Sequence, residues 1–337
     1  MSLTKTEIAY VAIILVLVAA SLYFLAPALF RSTQPTGGGS IITAQREFPT
    51  VSVTILTSAS CKSLCNQDAM RLKLQQLLVN VNFTTEYVEN TSGRQLADRY
   101  ELTLVPAYLI SVPQMDKSPA FPSMKQSLLK LDNGYYLLNA IETKSGVLFR
   151  NSLSATPLLE LFISAYEINS LHTANATYSV MQRFRNELNF SVHYVIRKDG
   201  NSFISNDGYV GLREAVLEVC MHRANVSSFG AQWCRTRQIL DCFGPQSLDP
   251  AFCAQIWTLC AGSYSLNERN VSVCLAAQNR SILDQEAAAT STIAGVPTIV
   301  VGNKYVIAGA VSEFKLLADV CDIYSSRLRG CVITSRS

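Results

Sequence analysis

The chain has 337 residues, 28 Lys and Arg against 25 Asp and Glu, a net charge of +3 and only 16% charged residues. It contains no basic run, which argues against nucleic acid as a partner. The length is enough for one membrane anchor and two domains.

A short tail, residues 1–7, precedes an apolar run from Ile8 to Phe30 (IAYVAIILVLVAASLYFLAPALF). At roughly 1.5 Å per residue such a run crosses a ~30 Å hydrocarbon core as a single transmembrane helix. The rival is a cleaved signal peptide, because Ala26-Pro27-Ala28 loosely resembles a cleavage site; the run exceeds the usual signal core of roughly 7–15 residues. Lys5 and Arg31 orient the span poorly. The C-terminal body orients it better. All ten cysteines lie after the span, and Asn-X-Ser/Thr sequons stand at Asn82, Asn90, Asn175, Asn189, Asn225, Asn270 and Asn279. Together they place that body in an oxidising, extracytoplasmic space, as a single-pass membrane glycoprotein. A cytosolic metal-binding body fits less well, because the cysteines form no repeated C-x-x-C pairs.

Residues 31–46, rich in Gly, Ser and Thr, read as a flexible linker. A first domain spans 47–150. Val51, Val53 and Ile55 alternate with Ser52 and Thr54 as a strand. The chain then delivers Cys61 and Cys65 at the expected start of a helix that runs to about Val79, with Met70, Leu74, Leu77 and Leu78 on one face. A thiol in such a first turn sits beside unpaired N–H groups that favour the thiolate, the species that attacks disulfides. Residues 81–88 read as a strand and 92–102 as a short helix. A third strand is entered through Val105-Pro106, and a hairpin turns on Asp132-Asn133-Gly134. Its second strand is expected to reach about Thr143, with 146–149 as an extension.

A second domain spans 155–337. Strands are expected at 158–163 and 190–196, with a helix at about 173–188. Helices and loops fill an insertion at about 208–289. Residues 295–301, Val296-Pro297 included, read as a strand, Gly302-Asn303 turns it into 304–308, and Ser312 opens a last helix to about Tyr324.

The order strand, cysteine helix, strand, helix, Val-Pro strand resembles the thioredoxin superfamily over roughly 50–143, with ADRYELTLVPAYLI (97–110) similar to that family's run into its cis-proline. GVPTIVVGNKYVIAGAVS (295–312), LLELFIS and FSVHYVI resemble the DsbA-like branch, over about 157–324. The resemblance implies an α/β chain of two thioredoxin-like domains, the second with a helical, disulfide-rich insertion. It implies cis bonds at Val105-Pro106 and Val296-Pro297, beside a backbone edge that an extended substrate could join. Two departures stand out. Three residues, not two, separate Cys61 from Cys65, and the second domain carries Ser164-Ala165-Tyr166-Glu167 where its cysteines should be.

These residues point to a membrane-anchored, extracytoplasmic thiol-disulfide oxidoreductase. Cys61 attacks, Cys65 resolves, and Val105, Pro106, Val296 and Pro297 shape substrate grooves. Its partners would be cysteine-containing proteins outside the cytoplasm and, by family analogy, a membrane redox protein; no cofactor and no resident metal are required. Two alternatives stay open. One is a redox-inactive binding or scaffold module. The other is a copper carrier, since C-x-x-x-C behind one anchor also resembles Sco-type chaperones and two thiolates suit Cu(I). Its missing histidine is a difficulty: His172, His193 and His222 all fall in the second domain. Cys220, Cys234, Cys242, Cys253, Cys260, Cys274, Cys321 and Cys331 read as structural, with Cys220/Cys242, Cys260/Cys274 and Cys321/Cys331 as the sequence-near pairs. Trp233 and Trp257 read as core.

Overall fold

Alternating burial makes Val51–Thr57 the strand β1, with Val51, Val53 and Ile55 on the inner face. In the computed structural model, residues 48–331 are described apart from 133, 141–142, 185–186, 225–229, 231–232, 237–238, 241–259, 261–262 and 264–266. The expected span 8–30, the linker 31–46, Cys242, Cys253, Trp257, Asn225 and the His222 side chain lie outside the described residues. No described helix is long and apolar enough to cross a membrane.

After β1 a 3-10 turn, Ala59–Cys65, carries both cysteines, and the helix α1 begins separately at Asp68–Leu77. This differs from the one continuous helix that the spacing predicts from the cysteines to residue 79. The Asn66 side-chain oxygen accepts the Asp68 N–H at 2.9 Å and starts the helix afresh. Met70, Leu74 and Leu78 are buried, whereas Leu77 at the helix end is exposed. The strand β2 (Val81–Tyr87) and helix α2 (Thr91–Arg99) come next.

The expected third strand divides at proline 106. Leu104–Val105 is β3 and Ala107–Ser111 is β4, and the two belong to different sheets. The hairpin β5 (Leu128–Lys130) and β6 (Tyr135–Leu138) turns through Gly134, whose φ of 91° suits glycine. Its second strand stops at Leu138 rather than near 143. Gly146–Leu148 is a separate strand, β7, in the other sheet.

The second half of the chain opens with β8 (Leu158–Ile163), α3 (Ile168–Phe184), β9 (Asn189–Tyr194) and the hairpin β10 (Ile196–Asp199) and β11 (Ser202–Ser205). The helix α3 starts five residues earlier than expected because Glu167 accepts the N–H groups of Asn169 and Ser170. Two long helices, α4 (Gly208–Ala224) and α5 (Glu268–Ala289), frame the insertion. The chain closes with β12 (Thr298–Val301), β13 (Tyr305–Ala308) and α6 (Glu313–Tyr324), the last capped by the Ser312 hydroxyl.

The first sheet runs β2-β1-β4-β6-β5 and the second β3-β7-β13-β12-β8-β9. In each, a parallel pair (β1 with β2, β8 with β9) stands beside an antiparallel strand entered from a cis-proline (β4, β12). The sequence places a domain boundary near 150–155, yet β3 and β7, from before it, complete the edge of the second sheet. From Phe48 onward the chain forms one compact unit.

Cys321–Cys331 is bonded as expected from proximity. The other two sequence-near pairs are corrected to Cys220–Cys274 and Cys234–Cys260. The reason is packing: α4 and α5 lie side by side around Val216, Cys220, Met221, Val271 and Ile282, which brings residue 274 to residue 220 across 54 positions.

Candidate functional site

Cys61 and Cys65 are bonded to each other, with Cα atoms 5.2 Å apart. Their sulfurs lie 3.8 and 3.5 Å from one acceptor, the carbonyl oxygen of Val105. Val105-Pro106 is cis, as is Val296-Pro297. The disulfide pair and the residue before the cis-proline, 40 and 44 positions apart, therefore share one small volume. Register explains it: Leu56 pairs with Ala107, so Val105 and Pro106 come level with the end of β1, where the cysteine turn begins.

Three features depart from the sequence expectation. First, the cysteines occupy a 3-10 turn rather than an α-helical start, and the N–H groups at its head are already engaged. Glu89, just past β2, accepts the Ala59 N–H at 3.2 Å and the Ser58 hydroxyl at 2.6 Å, and Ser58 in turn accepts the Ser60 N–H. Burial pushes the Glu89 carboxyl up; the Ser58 hydroxyl, backbone N–H groups and Arg94 outweigh it and hold it below the ordinary value. An anion there works against a thiolate instead of for it.

Second, the cysteines are buried, Cys61 at 3% and Cys65 at 7% exposure, within a cluster that includes Leu56, Val105, Val147 and Leu316. The second sheet reaches onto the turn: the Tyr305 hydroxyl donates to the Ser60 carbonyl at 3.3 Å. Burial and then the Asp322 carboxylate push the Tyr305 phenol up, so it keeps the proton it donates.

Third, the edge expected to be free at Val105 is paired. Val105 faces Val147 and Leu104 faces Leu148 in an antiparallel ladder with β7. Gly146 allows this approach, since a Cβ there would overlap the Val105 carbonyl oxygen and come within 2.9 Å of Pro106 Cδ.

The second sheet repeats the register without the thiols. Thr298 pairs with Phe162, which brings buried Pro297 level with the end of β8 and the residues after it. There the Ser164 hydroxyl and the Tyr166 N–H both donate to Asp207, at 2.6 and 3.0 Å, and the Tyr166 hydroxyl donates to Glu214. Beneath them Arg235 is ion-paired to Glu214 and Glu218, all three buried. Sequence reasoning misses this group, because its members lie on separate segments and carry no common motif. It misses Glu89, Gly146 and Tyr305 for the same reason.

Among the described residues no three His, Cys, Asp or Glu side chains gather as a metal site. His172 is exposed, and His193 stacks on Phe162 with Nδ1 3.5 Å from Glu286. Trp233 packs against the core and donates to the Asn175 side chain at 2.8 Å, which engages that sequon's amide; Asn82, Asn90, Asn189, Asn270 and Asn279 are exposed.

The strand order of the two sheets, and the cis-proline entry to one strand of each, agree with the thioredoxin-like α/β fold that the sequence resemblance implies. Solved structures similar to the chain include the oxidoreductase NmDsbA1 from N. meningitidis, 15% identical, covering 53% of this chain and 86% of that one with a TM-score of 0.36. The oxidoreductase DsbA from Xylella fastidiosa is 12% identical over 52% of this chain and 89% of its own, TM-score 0.36. A thioredoxin-like oxidoreductase from Silicibacter pomeroyi is 14% identical over 54% and 93%, TM-score 0.34. No family model and no curated protein matches the chain.

Proposed function

We propose that the protein is a thiol-disulfide oxidoreductase whose working pair is Cys61 and Cys65. The observation that carries this is the meeting of both sulfurs at the Val105 carbonyl, next to Pro106. In the reducing direction, the Cys61 thiolate attacks one sulfur of a substrate disulfide and expels the other as a thiolate. Cys65 then attacks Cys61 in the mixed disulfide, releasing the second substrate thiolate. Two electrons leave the pair, which becomes the bond seen here. The reverse sequence oxidises a substrate dithiol.

The finer reading is a protein anchored through residues 8–30, with two thioredoxin-like units outside the cytoplasm acting on cysteine-containing proteins there. A membrane redox protein would exchange electrons with it. The second unit, with Ser164 and Tyr166 in place of thiols, serves substrate or partner binding through Val296 and Pro297. Four disulfides among the described residues and the exposed sequons support this compartment.

One observation favours a second reading, a redox-silent scaffold: the 3% and 7% exposure of the two cysteines. Insulin reduction by the full chain, compared with Cys61→Ala, separates the two. Activity lost in the variant supports the enzyme; equal turnover in both proteins removes it. A midpoint for Cys61–Cys65 well below about −300 mV marks a structural bond.

A further inference from the structure

The geometry points to β7 as a built-in occupant of the substrate edge: residues 146–148 close the Cys61–Cys65 site, and exchange requires their displacement. This rests on the oxidoreductase reading above. Val105 is the residue whose carbonyl both sulfurs face, and it is the same residue that β7 pairs with, through Val147. An extended chain entering the site would add to that edge by backbone hydrogen bonds. Those positions are already taken, in antiparallel register, by the protein's own backbone.

On its other side β7 is held by β13. Tyr305 pairs with Val147, Val306 pairs with Gly146, and the Leu148 N–H donates to the Lys304 carbonyl at 2.8 Å. Just before it, the Ser145 hydroxyl accepts the Ala308 N–H at 2.8 Å. The strap thus joins the second sheet to the cysteine turn, and Val147 is fully buried beside the two sulfurs' cluster. It is only three residues long. Segments this short open locally at less cost than global unfolding. An incoming extended substrate would restore at Val105 the backbone bonds that β7 gives up, so displacement is an exchange of partners. Gly146 is the fitting piece, because a side chain at that position would clash with the Val105 carbonyl.

The test uses the full oxidised chain. Dithiothreitol reduction of Cys61–Cys65 is followed by alkylation and mass spectrometry, with Cys321–Cys331 in the same molecule as reference. Gly146→Ala places a methyl group against the Val105 carbonyl. Val147→Ala leaves the backbone pairing possible and removes the buried side chain. Each variant should raise the rate at Cys61–Cys65, relative to Cys321–Cys331, by about tenfold or more. A wild-type ratio in Val147→Ala overturns the proposal, as does equal acceleration of both disulfides in either variant. Should Gly146→Ala not fold, Val147→Ala decides by the same criterion. Insulin reduction is scored separately. A raised ratio without insulin turnover keeps the strap and removes the oxidoreductase reading; wild-type turnover with unchanged ratios keeps that reading and removes the strap.

Discussion

Glu89 accepts the Ser58 hydroxyl at 2.6 Å, which sets a carboxylate over the head of the cysteine turn. Its pKa is held below the ordinary 4.5. A folded-state value below the unfolded one stabilises the fold above about pH 4.5, and the stabilisation is lost as pH falls through the folded value. Glu89 is exposed, so the effect is under about 1 kcal/mol. Melting temperatures should fall more steeply between about pH 5 and 3 in the wild type than in Glu89→Gln. In the reduced protein, Glu89→Gln should also lower the pH midpoint of Cys61 alkylation, since an anion opposing the thiolate is gone.

Tyr305 and Ser60 tie the second sheet to the turn through one hydrogen bond of 3.3 Å. Tyr305→Phe should cost about 0.5–1.5 kcal/mol in urea unfolding. It should also speed reduction of Cys61–Cys65 more than that of Cys321–Cys331. A stability loss with no change at the first disulfide would separate the bond from access to the cysteines.

Cys220–Cys274 closes a loop of 54 positions and Cys321–Cys331 one of 10. Chain entropy alone assigns them on the order of 4 and 3 kcal/mol. The double variant Cys220→Ala/Cys274→Ala should therefore lose more stability than Cys321→Ala/Cys331→Ala, measured by denaturant unfolding. The larger loss should appear as loosening of α4 against α5 in hydrogen exchange.

Arg235 is buried between Glu214 and Glu218. Arg235→Ala leaves two buried carboxylates facing each other, and breaking such a group costs about 3–5 kcal/mol. Urea unfolding of Arg235→Ala beside the wild type at neutral pH checks the size of that loss.

Much of the fold is legible in the sequence because its signals are local. Strand β1 shows in the alternation of Val51, Val53 and Ile55, and the two Val-Pro steps mark the entries to β4 and β12. The cysteines' neighbourhood with Pro106 is readable only through the thioredoxin resemblance, which implies it. What escapes is non-local. Gly146-Val147-Leu148 has no periodicity of its own, and only the packed molecule assigns it to the second sheet. Residue 274 is nearer in sequence to 260 than to 220, yet helix packing decides otherwise. The cysteine turn reads as a helical start because the effects of Glu89 and Asn66 are side-chain matters that helical spacing does not reveal.

Pro106 stands where the chain passes from one sheet to the other, β3 behind it and β4 ahead. The two sheets consequently own adjoining peptides instead of merely touching. Severing the chain near residue 150 would not liberate two autonomous pieces. The N-terminal fragment would keep β3 and β7 as an orphan ribbon with no β13 to lean on, and the C-terminal fragment would present β13 as a bare sheet edge. Fragments made to study the cysteines in isolation would report on a differently framed pair.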